Sequence, residues 1–404
     1  MEGFDVARAR ADTPGCAEVA HFNNAGAALP PRPVLDAVLG HLEREARIGG
    51  YEAEAEAQER LDAVYDELAA LLGCHADEIA VVENATRAWD MAFYALRFGP
   101  GDRILCARAE YESNVIAFLQ VAQRTGATVE HVPNDEHGQL SVAALREMLD
   151  ERVKLIAITH VPTNGGLINP VEEVGAVARA AGITYLVDAC QAIGQLPLDV
   201  GRIGCDMLSA TGRKYLRGPR ATGLLYVRRE LVAELEPPLL DLHAARWVAD
   251  DRFEIRPDAR RFENWEQYVA GKLGLGAAAR YAREWGLEAI AARVGALAAR
   301  LREGLAEVDG VRVHDLGLRK CGIVSFTVDG LESAAVKQAL AERAINVSVN
   351  PGHYTRLDME ARGLKDLVRA SAHYYNTEDE VDALVDAVGA SGRPRRPRAR
   401  STRR

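Results

Sequence analysis

The central part of the sequence alternates short apolar runs with segments of helical periodicity. Six apolar runs are candidate strands, at 102–107, 128–133, 155–160, 184–189, 206–211 and 223–227. Residues 170–181, between two of these runs, place Glu172, Glu173 and Arg179 on one polar side, as an amphipathic helix does. Strands that alternate with helices form βαβ units, whose strands are parallel. The pattern therefore predicts an α/β fold built on a mainly parallel sheet.

A different pattern begins near residue 260. Residues 267–308 are rich in Ala, Leu, Arg and Glu and predict one or two long helices. Strand-like runs follow at 310–315, 322–328, 345–349 and 368–373, with a helix near 333–344 and a last helix from Glu378. We expect a small α+β domain here. The predicted parts are an N-terminal segment that packs with the small domain (1–30), a large domain (31–265), linking helices with the small domain (266–390) and a disordered basic tail (391–404).

Composition excludes several classes of function. The net charge of -10 over 404 residues argues against a broad nucleic-acid surface. No apolar stretch is long enough to cross a bilayer, and the N-terminus lacks the apolar segment of a secretory signal. The six cysteines form no CxxC pair and no cluster with histidine at metal-ligand spacing. We expect a cytoplasmic protein without a metal, and without nucleic-acid or membrane partners.

The first candidate for chemistry is the carboxylate in YLVDACQAIGQ, where Asp188 ends a fully apolar strand. A carboxylate there is costly unless a cation or donors meet it. A protonated pyridine nitrogen is such a partner, Ala189 is small enough for a flat ring to lie close, and Gln191 can donate to a phenolate oxygen. The simpler interpretation is a strand-end aspartate that caps the following turn.

The second candidate is Lys214, which follows the next strand in SATGRKYLRGPRATGLLYV. Thr211, a backbone N–H at Gly212 and the Arg213 guanidinium together suit a dianionic phosphate. A lysine becomes nucleophilic when it is desolvated or lies near other cations, which Arg213 and Arg217 can supply. An exposed lysine in a basic turn is the simpler interpretation.

In combination, Asp-x-x-Gln after one strand, Thr-Gly-x-Lys after the next and Gly-Pro before a further strand resemble the class V aminotransferase family of fold-type I enzymes, which use pyridoxal 5′-phosphate (PLP). The family includes cysteine desulfurases, selenocysteine lyases, isopenicillin N epimerase and kynureninase-like relatives. The resemblance runs from about residue 20 to 389. It implies a large domain with a seven-stranded sheet between helices, a small C-terminal domain, PLP bound to Lys214 as a Schiff base, an amino-acid substrate and a homodimer.

The resemblance also assigns residues around PLP. Ala85 and Thr86, at a helix start, would offer N–H groups to the phosphate, although Thr86 could be a plain N-cap. Tyr111 stands where many desulfurase-like relatives carry a histidine stacked on the ring. An aromatic ring can replace the stacking surface but not the proton carrier. Thr163, or its neighbour Asn164, would touch the phenolic oxygen.

Two further segments resemble the substrate-binding parts of the family. In LVRASAHYYN, Arg369 would hold the α-carboxylate by a two-pronged hydrogen bond, the alternative being a surface arginine on a strand. In HFNNAGAALPP, Asn23, Asn24 and Ala25 would approach the same carboxylate. Asn23 could equally be a turn former.

The sequence departs from the desulfurases at two places. Their nucleophilic cysteine lies on a loop before the arginine signature, but residues 345–363 contain no cysteine. His353 in that loop could move over the site as a catalytic residue, or it could be a solvated loop histidine. Trp265 and Glu266 stand where relatives have Gly-Thr that reaches the partner's phosphate, so that role is not transferred.

A reaction that needs no persulfide is therefore expected. Lys214 is the natural base for the α-proton. The first choice is α,β-elimination, as a C–S lyase on a cysteine conjugate or its sulfoxide. The alternative is an aminotransferase or amino-acid epimerase of the same family, and a remote alternative is a non-catalytic or sulfur-transfer partner protein.

Overall fold

The computed structural model describes residues 3–391, and the elements in that range are fifteen α-helices, fifteen strands and four short 3₁₀ helices. The helices are α1 (Val6–Ala11), α2 (Arg32–Ile48), α3 (Gly50–Glu56), α4 (Gln58–Leu72), α5 (Ala85–Phe93), α6 (Glu112–Thr125), α7 (Val142–Met148), α8 (Val171–Ala181), α9 (Val200–Ile203), α10 (Arg229–Glu234), α11 (Val269–Trp285), α12 (Leu287–Ala306), α13 (Ser333–Ala341), α14 (Arg356–Ala361) and α15 (Glu378–Ser391). The strands are β1 (Ala20–His21), β2 (Ile79–Val82), β3 (Arg103–Cys106), β4 (Thr128–His131), β5 (Val153–Thr159), β6 (Thr184–Asp188), β7 (Met207–Thr211), β8 (Gly223–Val227), β9 (Ala245–Ala249), β10 (Arg252–Ile255), β11 (Val311–Val313), β12 (Ile323–Val328), β13 (Ile345–Asn346), β14 (Ser348–Pro351) and β15 (Asp366–Ser371).

A seven-stranded sheet forms the centre of the large domain, in the order β2-β8-β7-β6-β5-β3-β4. Strand β8 is antiparallel to both of its neighbours, and the other strands run in one direction. Every residue of β7 and β8 is buried. Strands covered on both faces have continuous apolar sequences rather than alternating ones, which is why these runs could be found in the sequence. The predicted α/β class is confirmed.

Several connections in the large domain turn sharply after a helix. Helices α6 and α8 end at Gly126 and Gly182, whose φ angles of 78° and 66° are left-handed. A residue with a side chain is strained in this conformation, whereas glycine adopts it readily. These turns direct the chain back into the next parallel strand.

The small domain holds a four-stranded antiparallel sheet in the order β11-β12-β15-β14. Its core joins Phe326 and Val368 on the sheet to Leu297 on α12 and Leu384 on α15. Phe22, from near the start of the chain, is fully buried in this same core. Strand β1 pairs with β13 in parallel, so the segment that carries β1 contacts this domain.

The two long helices between the domains differ in their packing. Helix α11 packs against α2 and α4 of the large domain, while α12 packs against α15 and β11 of the small domain. Gly286, with φ of 81°, separates them. The basic tail predicted for 391–404 lies, except for Ser391, outside the described residues. Between residues 3 and 391 no helix is both long and apolar enough to cross a membrane.

A hairpin of β9 and β10 is absent from the sequence-based prediction. Trp247 and Phe253 lie opposite each other in its register. Their side chains are 77% and 51% exposed, so the hairpin projects from the large domain with its aromatic residues uncovered.

Candidate active site

The candidate residues meet at one edge of the large sheet. Asp188 ends β6, Thr211 ends β7, and Lys214 lies in the turn that follows β7. Ligands of open α/β sheets bind at the carboxyl ends of the strands, where these residues lie.

Lys214 is partly covered as a residue, and its amine is withdrawn from water. Its removal from water lowers the pKa of its ammonium group to about 8, and the nearby cations Arg213 and Arg369 act in the same direction. Cys190, the largest influence after desolvation, and Asp188 act in the opposite direction and raise that pKa. Among residues 3–391 we find no hydrogen bond or ion pair that engages the Lys214 ammonium. A buried amine with a pKa near neutrality is suited to act as a nucleophile or base.

Asp188 is held by donors on both oxygens. The backbone N–H of Cys190 donates to Oδ1 at 2.9 Å, and the amide of Asn114 on α6 donates to Oδ2 at 3.0 Å. Each oxygen has acceptor capacity left for a further donor. Asn114 has no counterpart among the residues predicted from sequence.

The residues after Asp188 differ from the expectation. Ala189 is fully buried and packs in the core of the large domain. Cys190 is only partly covered and lies near Lys214, Arg213 and Tyr111. Burial and the neighbouring Asp188 raise the pKa of its thiol well above the usual range. Cys190 therefore lies among the candidate residues, a position that the sequence-based prediction did not assign to it.

Gln191 faces the site with its amide already engaged. Its Nε2 donates to the carbonyl of Ala25 at 3.1 Å and to Thr163 Oγ1 at 3.3 Å, while its Oε1 is buried without a partner. The expected donation to a phenolate oxygen therefore requires one of these two bonds to be released.

Arg369 reaches from β15 of the small domain into the large domain. Its Nη1 donates to the carbonyl of Thr163 at 3.0 Å and to Oγ1 of the same residue at 2.7 Å. Desolvation lowers the pKa of Arg369 to about 10, and its Nε is buried without a partner. A buried guanidinium with an unused donor is suited to bind a carboxylate.

Thr163 and Asn164 have separate roles. Thr163 contacts both Gln191 and Arg369. Asn164 instead bonds to the small domain, where its Nδ2 donates to the Pro351 carbonyl at 3.2 Å and its Oδ1 accepts from Asn350 at 2.9 Å. Of the two alternatives for the phenolic oxygen, the structure brings Thr163 to the site and uses Asn164 to join the domains.

The N-terminal turn also differs from the expectation. Asn24 is fully buried, and its Nδ2 donates to the carbonyls of His21 at 3.0 Å and Ser371 at 2.7 Å while its Oδ1 accepts from Tyr375. Its amide therefore secures the turn against β15 and is not free for substrate. Ala25 meets Gln191 through its carbonyl. Asn23 alone of the three predicted residues keeps a buried oxygen, Oδ1, without a partner.

The sequence predicts a phosphate site at the start of α5. Helix α5 begins at Ala85, and Asn84, not Thr86, is its N-cap, because the Asn84 side chain accepts from Arg87 N at 2.9 Å. Thr86 is exposed, and the N–H groups of the first helical turn have no intrahelical acceptor, so they can meet an anion.

The remaining phosphate candidates are engaged elsewhere. The Thr211 hydroxyl donates to the Thr222 carbonyl at 3.3 Å. The Arg213 guanidinium donates to the carbonyl of Gly26 in the N-terminal turn. Arg213 therefore ties that turn to the lysine loop through one of the five donors of its guanidinium.

Tyr354, not His353, lies on the inner side of the loop that lacks cysteine. The rings of Tyr354 and Tyr111 have centroids 6.2 Å apart, and both phenols influence the pKa of Arg369. His353 pairs with Glu112 at 2.9 Å, and its side chain is 57% exposed. The catalytic role expected for His353 is not supported by this position, because the ring faces solvent and a carboxylate outside the site.

These groups fit PLP. The Lys214 amine can bond its aldehyde, Asp188 keeps acceptor capacity for its ring nitrogen, and the start of α5 can receive its phosphate. The buried and unpartnered Gln191 Oε1 and Arg369 Nε show that polar atoms here await a further partner.

The comparisons with known proteins all indicate the same family. The family model described as aminotransferase class-V matches residues 20–384. A probable cysteine desulfurase 2 of Mycobacterium leprae is 33% identical over 411 residues, covering 95% of this chain and 96% of that protein. A probable cysteine desulfurase of Methanothermobacter thermautotrophicus is 29% identical, covering 94% and 96%.

Solved structures agree. The cysteine desulfurase CsdA of Escherichia coli, in an S-sulfonic acid form, has a TM-score of 0.89 at 26% identity, covering 96% of this chain and 99% of that one. A complex between the cystine C-S lyase C-DES and its product, cysteine persulfide, has a TM-score of 0.84 at 25% identity, covering 93% and 99%. The chain therefore belongs to the class V aminotransferase family and is a PLP-dependent enzyme.

Proposed function

We propose that this enzyme cleaves the C–S bond of a cysteine conjugate or its sulfoxide by α,β-elimination, without a persulfide on the protein. The observation that carries the proposal is the state of the six cysteines. Burial raises the pKa of every one of their thiols, to about 12 at Cys74 and about 11 at Cys321. A sulfur-accepting cysteine acts as its thiolate and needs a lowered pKa. The cysteine-free loop at 345–363 adds to this argument.

The roles of the residues follow from their positions. Bound PLP supplies an electron sink for the carbanion at the α-carbon of the substrate. Arg369 orients the α-carboxylate through its guanidinium, and Asn23 Oδ1 lies in the turn that faces the same region. Lys214 Nζ takes the α-proton, because a pKa of about 8 leaves about a tenth of free amines neutral at pH 7. Asp188 holds the proton on the ring nitrogen of the cofactor.

The proposed reaction is balanced without an oxidant or reductant. The α-proton passes to Lys214, the electron pair of the Cα–H bond forms the new double bond, and the Cβ–S bond breaks with its pair on sulfur. Addition of water to the three-carbon product then gives pyruvate and ammonia. The sulfur leaves as a thiol from a conjugate or as a sulfenic acid from a sulfoxide.

Product analysis tests the proposal. The purified enzyme is incubated with a panel of cysteine conjugates, their sulfoxides, cysteine and common amino acids. We expect pyruvate and ammonia in equal amounts from a conjugate or sulfoxide, and their loss in Lys214→Ala. Alanine with sulfur bound to the protein would refute the proposal in favour of a desulfurase. A keto acid with pyridoxamine phosphate would favour the aminotransferase alternative. Inversion of configuration at the α-carbon of the amino acid would favour the epimerase alternative.

The proposal includes a homodimer. Tyr51, Trp265 and Tyr268 are 74%, 54% and 44% exposed, and all three line one open cavity of about 1090 Å³. Exposed aromatic clusters on a soluble protein mark association surfaces. Sedimentation analysis should give a dimer for the wild type and a shift toward monomer for Trp265→Asp. A monomeric wild-type holoenzyme would contradict this part of the proposal.

A further inference from the structure

Glu110 is a buried carboxyl group with no part in the reaction proposed above. It lies between β3 and α6, directly before Tyr111, and only 2% of the residue is exposed. Burying a carboxylate is costly unless donors or cations compensate. Groups around Glu110 must therefore stabilise its buried carboxylate.

Three hydrogen bonds hold Glu110. Its Oε1 accepts from the N–H of Thr159 at 2.8 Å and from the N–H of Ala107 at 3.3 Å, and the Thr159 hydroxyl donates to Oε2 at 2.5 Å. Glu110 thus ties the segment before α6 to the end of β5. Because Tyr111 follows it immediately, the same bonds restrain where the Tyr111 ring can lie.

The contact with β5 brings Glu110 close to Asp188. Thr159 and Asp188 are register partners on neighbouring parallel strands. The helix that Glu110 restrains also carries Asn114, which donates to Asp188 Oδ2. Glu110 and Asp188 are therefore linked twice, through β5 and through α6.

The charge of Glu110 changes in the physiological range. Burial raises the pKa of its carboxyl group to about 7, against the lowering effect of the Thr159 bonds, and the charge of Asp188 raises it further. The titratable groups that face it are Asp188 and Tyr185 from β6 and Cys106 from β3.

We infer that Glu110 is a positioning residue of the cofactor site: it holds Tyr111 and Asn114 against Asp188, and its negative charge helps to keep the proton on the ring nitrogen of bound PLP. This inference rests on the proposed role of Asp188. Two strand spacings, roughly 10 Å, separate the Glu110 carboxylate from the side of Asp188 that would face the ring. At an effective dielectric of about 20, the charge of Glu110 should raise the pKa of the ring nitrogen by roughly one unit.

The test compares wild type, Glu110→Gln, Glu110→Asp and Thr159→Val, each reconstituted with PLP labelled at its ring nitrogen. NMR of that nitrogen then reports its protonation as the pH is raised. We expect the deprotonation midpoint to fall by roughly half to one pH unit in Glu110→Gln, which keeps the shape and loses the charge. Thr159→Val, which loses a donor to the carboxylate, should shift it in the same direction by less, and Glu110→Asp, which keeps the charge, should stay near wild type. Glu172→Gln, at an exposed position of α8, controls for net charge and should titrate as wild type.

The outcomes separate this inference from the proposed function. The inference fails if the ring nitrogen has the same deprotonation midpoint in wild type, Glu110→Gln and Thr159→Val. It also fails if the nitrogen shows no change with pH in any of the three proteins. If Asp188→Asn also leaves the nitrogen unchanged, the role of Asp188 fails first and the inference with it. If Glu110→Gln does not fold, Thr159→Val decides alone. A shift in Glu172→Gln as large as that in Glu110→Gln would also overturn the inference.

Discussion

Lys214 and Lys272 predict opposite effects when each is replaced by methionine in the cofactor-free enzyme. Lys214 has no counter-ion, and its pKa falls from 10.5 to about 8 on folding. At pH 7 the amine is charged in both the folded and the unfolded state, so the folded state carries the full penalty of burying the charge. Two and a half pKa units at 1.36 kcal/mol each amount to about 3 kcal/mol. Lys214→Met should therefore stabilise the apoenzyme by about that amount.

Lys272 is the matched control because it is buried but well paired, although burial lowers the pKa of its ammonium group as well. Its Nζ donates to Tyr65 Oη at 2.6 Å and to Gln267 Oε1 at 2.8 Å, and it lies 3.7 Å from Glu263. Together with nearby donors, the cation lowers the pKa of Glu263 to about 2. Lys272→Met leaves Glu263 as a buried carboxylate without its cation, which costs about 3–5 kcal/mol.

The assay is thermal and urea unfolding of the two variants and the wild type, all without PLP and at one protein concentration. The sign of the Lys214 effect depends on pH in a defined way. The free-energy penalty of burying the charged Lys214 amine is full below its folded-state pKa of about 8. It decreases as the pH rises toward 10.5, the pKa of the amine in the unfolded state. The gain of Lys214→Met should thus shrink between about pH 7 and pH 10. A loss of stability in Lys214→Met at pH 7, or a gain that is constant with pH, would refute the reasoning.

Three further predictions concern other parts of the site and fold. Arg369→Lys should raise KM for the amino acid roughly 10- to 100-fold with a smaller change in kcat, because one charge-assisted bond of about 1.5–3 kcal/mol is lost; an unchanged KM would exclude Arg369 as the carboxylate ligand. Asn114→Ala removes the amide at 3.0 Å from Asp188 and should weaken PLP binding about tenfold by equilibrium dialysis, whereas equal affinity would show that the bond is dispensable. Arg217→Met leaves the Tyr374 and Thr13 hydroxyls and a Leu29 carbonyl without their buried donor and should lower the unfolding free energy by about 3 kcal/mol at unchanged substrate specificity.

Asp188 and Lys214 could be predicted because their signals are local. Each follows an apolar strand within a few residues, and the carboxyl ends of parallel strands meet at one edge of a sheet. The same reasoning identified the strands, since runs buried on both faces are continuous in apolar residues.

Roles that depend on distant side chains could not be predicted in this way. Asn114 and Asp188 are 74 positions apart, and an amide on a helix gives no periodic signal. His353 and Tyr354 are neighbours in one loop, and only the pairing of His353 with Glu112, 241 positions away, decides which of them faces inward. Asn24 matches the substrate-binding segment of the family, yet Ser371 and Tyr375 use its amide.

The pairing of β1 with β13, and of Asn23 with Ser371, has a consequence for synthesis on the ribosome. The small domain needs the first strand made and the last one, β15, so its core cannot close until nearly the whole chain has emerged. At about 5–20 residues per second, that takes roughly 20 to 80 seconds. During this interval the apolar face of Phe22 has no native partner, while the large sheet, complete by residue 227, can already fold. The nascent N-terminus is therefore a natural binding segment for chaperones, and a circular permutant that joins it directly to the C-terminal half should fold with less of their help.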